Sequence, residues 1–540
     1  MTFSHPKWHT PASWIGLAFS IGILAAHANH FDFINDDAFI SFRYADTLVQ
    51  HGELTFNVGE RVEGYTNFLW TMVIALVLAL GGDAVSSSKF IGIGFGGATL
   101  TALFLFFRWW RASHNATMSP LWGTLAPFLL AINPPFACWS EGGLETSMFT
   151  FWVTAAALRY LVEIDNPDPT AHRRRPWSAA LLALAAMTRP EGVLMFGLFG
   201  LHRLGTQIWT ERRGFPDRQI IIWGFAFVAI YLPYWIWRYT YYGYPFPNTY
   251  YAKGGEPLWS LGFLYVSSFI ADCHLWVALP LIAFPWRLRG QRNMITLTLF
   301  VSVTFMIYIM RVGGDFMALY RFLIPILPMI ALVSQTGATA AWRTFALATE
   351  SVTGGPPTLR TRTPIIIAAV TLSVILCLHN WRLTQRSLEI GSVGGVDSIG
   401  WLKMFVEQLT PIGKHLAETE SPDTSIAITA AGVVPYYSRL KTLDLLALND
   451  VYTAHNVKAL RKRPGHAKSA PEAYVLKWKP TLLIWQPRLS PGEPRPRGNE
   501  RQYWRQRGYT FEFAKVPGLE PPFWSFYRRD QTPSAINSTR

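Results

Sequence analysis

Phe68-Leu-Trp-Thr-Met-Val-Ile-Ala-Leu-Val-Leu-Ala-Leu80 is apolar almost throughout, and the orientation of everything after it depends on whether it crosses a bilayer. A helical span needs about 17 to 25 apolar residues, and this run is shorter. Read as a half-inserted or interfacial helix, it leaves five basic clusters on one side. These are Arg108 and Arg111; His172 with Arg173, Arg174 and Arg175; Arg203 with Arg212, Arg213 and Arg218; Arg287 with Arg289 and Arg292; and Arg343 with Arg360 and Arg362. The positive-inside rule makes that side cytoplasmic.

The spans that follow from this reading run over residues 12–30, 86–107, 120–136, 146–162, 220–237, 293–310, 321–341 and 364–380. A weaker pair, 177–188 and 190–202, is interrupted by Arg189-Pro190-Glu191-Gly192, and the segment 258–286 reads as an interfacial helix followed by a span. The expected fold is a polytopic α-helical membrane protein with about eleven spans, amino terminus inside and carboxyl terminus outside. The outside loops are then 31–85, 137–145, 239–257, 311–320 and everything after about 381. The first apolar run ends in His-Ala-Asn-His-Phe-Asp rather than at a small-residue cleavage site, so it is expected to stay as an uncleaved span.

Composition agrees: half of the 540 residues are hydrophobic and 15% are charged, against about 25% in soluble proteins. The 23 Trp suit the aromatic belts found at headgroup level. The net charge of +14 does not indicate nucleic acid, because the basic residues fall in short clusters between apolar runs or in the last third of the chain. Cys138, Cys273 and Cys377 are too far apart to suggest a metal site or a disulfide framework. After Asn380 the composition changes, dividing the chain into a transmembrane domain, 1–380, and an extracytoplasmic soluble α/β domain, 381–540. Strands are expected at Ser425–Thr429, Thr442–Leu448, Thr481–Trp485 and Phe511–Phe513, with a loop over Arg488–Arg501.

Ionisable residues at membrane depth are costly and are functional candidates by default. Here they gather on the outside face. Asn35-Asp36-Asp37-Ala-Phe-Ile-Ser-Phe-Arg43-Tyr44 reads as a juxtamembrane helix lying on the bilayer. It is followed by Phe56-Asn57-Val-Gly-Glu60-Arg61-Val-Glu63-Gly-Tyr65-Thr-Asn67. Further loops carry Glu141 and Glu145, then Asn248, Tyr250 and Lys253, then Arg311, Asp315 and Arg321.

Each has a plainer reading. Asn35 and Asp36 could cap a helix, Glu145 could do the same, and Arg321 could snorkel. Arg189 could pair with Glu191 or another buried acid, and Asp315 could fix the start of a span. Collected on one face, the same groups suit transfer of a sugar from a lipid phosphate to a hydroxyl. That reaction needs a carboxylate base and cations on the leaving phosphate, and arginine forks suit phosphate. Asp36 or Asp37 is the candidate base, and Lys253, Arg189, Arg311 and Arg321 are candidates for the phosphate. Arg43, Tyr44, Glu63, Tyr65, Asn67, Glu141, Glu145, Asn248, Tyr250 and Asp315 are candidates for substrate contact. No internal repeat supports the rival reading of a transporter for lipid-linked sugars.

The motifs Asp36-Asp37-Ala-Phe-Ile-Ser-Phe-Arg-Tyr-Ala, Phe56-Asn-Val-Gly-Glu-Arg-Val-Glu-Gly-Tyr-Thr-Asn-Phe-Leu-Trp70 and Gly313-Gly-Asp-Phe-Met-Ala-Leu-Tyr-Arg321 resemble bacterial GT-C glycosyltransferases. The chain is most similar to the terminal arabinofuranosyltransferases of mycobacterial cell walls. That resemblance implies a GT-C fold, a catalytic aspartate on the first outside loop, a decaprenyl-phosphate-linked arabinofuranose donor and a cell-envelope glycan acceptor. It also implies an outside domain that positions the acceptor, at the plasma membrane. The second acidic loop of the family is matched by Glu141 and Glu145 without an Asp-x-Asp, so no cofactor is assigned and a divalent cation is left as an alternative. No Trp-Trp-Asp triplet is present, which argues against an asparagine-linked oligosaccharyltransferase.

Overall fold

The computed structural model describes residues 9–114, 118–165, 176–210, 216–276, 291–353, 358–459 and 465–530. The basic residues 172–175, 212, 213, 287 and 289 and the second half of the expected span 258–286 lie outside them.

The helical part runs α1 (His9–Phe31), α2 (Asp36–His51), α3 (Phe68–Ala79), α4 (Ala84–Ser113), α5 (Leu125–Ala131), α6 (Pro134–Glu141), α7 (Thr146–Asp165) and α8 (Trp177–Thr188). It continues with α9 (Glu191–Thr210), α10 (Arg218–Tyr242), α11 (Asn248–Lys253), α12 (Trp259–Asp272), α13 (Arg292–Val312), α14 (Leu327–Thr353) and α15 (Leu359–Leu388). Among the described residues six helices are long and apolar enough to cross a membrane, or seven if one bent pair counts as a single span. At about 1.5 Å per residue the 12-residue α3 reaches about 18 Å, well short of a hydrocarbon core of about 30 Å.

The bent pair departs from the sequence reading. Residues 120–136 do not form one straight span, because the chain turns by 69° between α5 and α6. Asn133 accepts from Phe136 N through Oδ1 at 3.1 Å, and Pro134 and Pro135 open α6. Proline lacks a donor and clashes with the preceding turn, so it ends one helix while suiting the first turn of the next. The expected loop 137–145 is accordingly helical as far as Glu141. Gly92 of α4 lies against the Ser140 carbonyl where a Cβ would have no room, which lets α4 and α6 pack closely.

α2 also differs from expectation. Asn35 caps it, its Oδ1 accepting from Asp37 N at 2.8 Å, and left-handed Gly52 ends it. It does not lie on a bilayer surface, because Ala38 to Ala45 are buried without interruption. One side packs on α3 and the other is covered by the carboxyl-terminal α/β unit.

That unit follows a short hairpin, β1 (Ser392–Val393) and β2 (Val396–Asp397), and comprises α16 (Ile399–Thr419), β3 (Ser425–Ile428), α17 (Val433–Ser438), β4 (Lys441–Asp444), α18 (Val451–Asn456), α19 (Glu472–Trp478), β5 (Leu482–Ser490), α20 (Glu500–Arg505), β6 (Tyr509–Lys515) and β7 (Phe523–Arg529). The sheet order is β4-β3-β5-β7-β6, parallel at β3/β4 and β3/β5 and antiparallel at β5/β7 and β6/β7. The expected strand at 442–448 stops at Asp444, where the carboxylate turns the chain by accepting from Leu446 N and Asn449 N. The expected loop 488–501 is strand to Ser490 and helix from Glu500.

Polar groups fasten the unit to α2 and the loop after it. Arg43 donates to Phe56 O at 2.6 Å, to Leu440 O at 2.8 Å and to Pro435 O, and it is buried. Asp36 Oδ1 accepts from Val433 N at 2.8 Å, and Gly432 sits where any side chain would strike the Asp36 backbone. Asn57 Oδ1 accepts from Thr442 N at 3.0 Å while its Nδ2 donates to Thr442 O at 2.9 Å. Tyr44 OH donates to Val62 O and accepts from Gly64 N, and Asn248 Nδ2 donates to Ala447 O and Leu448 O.

Truncating Arg43 leaves several buried carbonyls without donors, each costing about 1–3 kcal/mol. Arg43→Ala should therefore lower the thermal unfolding midpoint of the purified protein by several degrees; an unchanged midpoint would show that this arginine does not hold the unit in place. Burial, with smaller contributions from Asp37 and Asp444, pushes the Asp36 carboxyl up to about 7. A carboxyl raised on folding favours the fold below its unfolded value of about 4, and the contribution is lost as pH rises through 7. Asp36→Asn keeps the acceptor oxygen, so its unfolding midpoint should vary less between pH 5 and 8 than that of the parent, measured by thermal scans across that range.

Candidate active site

The loops after α1, α6, α8, α10 and α13 meet the carboxyl-terminal unit around a cleft of about 1250 Å³. Ten of the residues singled out from sequence line it: Asp37, Tyr65, Asn67, Glu145, Arg189, Tyr250, Lys253, Arg311, Asp315 and Arg321. The other six do not. Asp36, Arg43, Tyr44 and Asn248 are engaged with backbone as described above. Glu63 pairs with Arg238 at 2.8 Å in a buried ion pair, and Glu141 pairs with Lys89 at 3.1 Å.

Among the lining charges, most are already compensated. Arg189 stands in the break between α8 and α9, where Pro190 prevents the helix from continuing. Its Nη1 lies 2.7 Å from Glu145 Oε1, while its Nε and Nη2 face both oxygens of Glu191 at 3.2 and 3.0 Å. The second oxygen of Glu145 accepts from Asn67 at 2.8 Å. Asp315 sits 2.9 Å from Arg321 Nε in an ion pair too poorly aligned to be a hydrogen bond. Two consecutive left-handed glycines, Gly313 and Gly314, let the chain turn there, with Gly314 against the Tyr265 ring.

Of the ten lining residues singled out from sequence, three charged ones have no ion pair among the described residues, and Glu256, which also lines the cleft, has none either. Asp37 follows its cap into the first turn of α2, half-buried, with no partner on its carboxylate. Lys253 ends α11 and makes no ion pair within 4 Å. Burial holds its ammonium below the usual lysine range, with Asp37 and Asp315 attracting it and Arg321 and Arg189 repelling it. Arg311, at the end of α13, is exposed in the cleft. A carboxylate able to take a proton thus shares the cleft with cations able to hold an anion, beside a Glu145-Arg189-Glu191 cluster in which one guanidinium holds two carboxylates. No three His, Cys, Asp or Glu side chains gather as a metal-binding group among the described residues.

The carboxyl-terminal unit contributes His455, His466 and Lys468 to the wall. His455 and Lys468 escaped the sequence reading because they carry no motif and lie far along the chain from the loops they face. Their best sequence signal was the compositional break that separates them from the spans.

A family model described as a domain of unknown function (DUF8728) matches residues 403–527. The terminal beta-(1->2)-arabinofuranosyltransferase of Corynebacterium glutamicum is 26% identical over 56% of this chain and 47% of its own length. The protein of the same name from Mycobacterium tuberculosis is 27% identical over 46% of this chain and 39% of its own. The chain therefore spans about half the length, or less, of the curated relatives it matches. The crystal structure of ArnT from Cupriavidus metallidurans bound to undecaprenyl phosphate superposes with a TM-score of 0.59 at 12% identity, covering 96% of this chain and 98% of that one. In sequence the chain resembles arabinofuranosyltransferases, and in architecture it has the fold of the GT-C membrane glycosyltransferases.

Proposed function

We propose that the chain transfers a sugar, arabinofuranose, from a polyprenyl-phosphate carrier to a hydroxyl of a cell-envelope polysaccharide by one inverting displacement. The observation that carries the proposal is that Asp37, Lys253 and Arg311 line one cleft, none of the three in an ion pair among the described residues. Asp37 takes the proton as the acceptor oxygen attacks the anomeric carbon. The bond from that carbon to the phosphate oxygen breaks, and the released polyprenyl phosphate gains a negative charge that Lys253 and Arg311 stabilise. The Glu145-Arg189-Glu191 cluster and the Asp315-Arg321 pair form the fixed floor on which substrate polar groups rest. The wider reading keeps about eleven spans in the plasma membrane, a transmembrane domain of 1–380, and an extracytoplasmic domain of 381–540 on the side where the cleft opens.

Transfer of labelled sugar from synthetic polyprenyl-phosphate arabinofuranose to an arabinan oligosaccharide is the direct test. Asp37→Asn should lose at least about a hundredfold in kcat, while Asp36→Asn, which preserves an acceptor for Val433 N, should keep most of it. Turnover only with a mannose donor would keep the mechanism and discard the sugar. Equal rates in the parent and Asp37→Asn would remove that carboxylate from the chemistry.

Because the Lys253 pKa is lowered by burial, its charge disappears as pH rises through a value below the usual lysine range. The pH profile of kcat/KM should therefore fall on the alkaline side, and Lys253→Arg should shift that fall upward. An alkaline limb at the same pH in both proteins would assign it to another group.

A further inference from the structure

Beyond the charged groups, the cleft has a second surface made of rings. Phe246 and Tyr250 are at least half exposed, with ring centroids 4.7 Å apart, and both line the cleft. Tyr251 meets Tyr250 edge to face at 5.4 Å and packs on His455 of α18 at 4.1 Å. Tyr244 holds the same imidazole from 4.6 Å. His455 is thus fixed by two tyrosines of the membrane part although it belongs to the carboxyl-terminal unit. Its Nε2 is out of solvent and has no hydrogen-bond partner among the described residues. A buried ring nitrogen left unpaired is costly, and because His455 lines the cleft, a small turn of the covering tyrosine rings would bring that nitrogen within reach of a ligand hydroxyl.

We propose that Phe246 and Tyr250 form the platform on which a sugar ring of the acceptor glycan rests, and that His455 Nε2 binds a hydroxyl of that ring. The inference rests on the glycosyltransferase reading and specifies its acceptor as an oligosaccharide, recognised through the residue behind the accepting one. Exposed aromatic faces bury the C–H face of a sugar at little entropic cost, whereas a neighbouring polar group selects its hydroxyl pattern. The spacing fits: Tyr250 precedes Lys253 by three residues on α11, about one helical turn and 4.5 Å of rise, comparable with the step from one sugar ring to the next. Burial and repulsion from Lys468 lower the His455 pKa, keeping the imidazole neutral and able to donate or accept.

Equilibrium binding of an arabinofuranose trisaccharide to the full chain, measured by calorimetry without any donor, separates this subsite from the transfer chemistry. The trisaccharide should bind more tightly than the methyl monosaccharide. Both His455→Ala and Tyr250→Ala should weaken the trisaccharide about tenfold while changing the monosaccharide little. His455→Phe, which retains the packing against Tyr251 and loses only the nitrogen, should be weakened several-fold, and Tyr452→Ala, which alters an exposed ring outside the cleft, should bind as the parent does. Absence of trisaccharide binding by the parent, or equal affinity in the parent and both His455 variants, would overturn the proposal. If Tyr250→Ala and Phe246→Ala both leave trisaccharide affinity intact, the rings do not carry the glycan and the platform is refuted. Loss of donor turnover with glycan binding retained would reject the transfer reaction and leave this subsite standing.

Discussion

The architecture depends on the burial of α2 between the helical bundle and the carboxyl-terminal unit. A helix emerging beside a membrane normally keeps one face in water. Here eight consecutive residues, from Ala38 to Ala45, are buried, and the polar ones among them need internal partners. Arg43 supplies its donors to carbonyls from both the bundle side and the sheet side, so neither layer can shift without stranding it. The first turn of α2 is placed by this fit, and with it the distinction between two adjacent aspartates: Asp36 bonds to Val433 N while Asp37 lines the cleft.

Electrostatic compensation shapes the remainder. A buried charge without a partner is expensive, and the buried charges of the cleft are matched: Arg189 by two glutamates and Arg321 by Asp315. Such pairs contribute little net stability once desolvation is counted, but they hold rigid geometry. Beside those fixed pairs, Asp37, Lys253 and Arg311 are left free to meet a ligand's charge.

Much of this was legible in the sequence where local chemistry dominates. Asn35 before Asp36-Asp37 announced a helix start, the brevity of Phe68–Leu80 set it apart from the spans, and short apolar runs marked four of the strands. The misses have physical reasons. Asn133-Pro134-Pro135 carries both a cap and a helix stop, yet a hydropathy window averages over it and reports one span. The covering of α2 depends on residues 432–449, which lie far along the chain from it and announce no contact with it by local pattern. β7 and the hairpin at Ser392–Asp397 lack a strong period. The pairing of Arg189 with Glu191 was readable from proximity, but Glu145 as its second partner was not, because the contact joins α7 to the break before α9. Which residues line the cleft is likewise a matter of side-chain direction, which spacing alone does not fix between Asp36 and Asp37.

The double hydrogen bond from Asn57 to Thr442 has a consequence for solubility. β4 is the last strand on its side of the sheet, and an open edge offers unpaired N–H and C=O groups to any passing strand. A side-chain amide carries one donor and one acceptor in the same arrangement as a peptide group, so Asn57 occupies part of that edge like a single residue of an additional strand. The loop after α2 thereby shields part of the sheet edge, and the same contact that docks the carboxyl-terminal unit on the helical part also discourages the sheet from recruiting a neighbour.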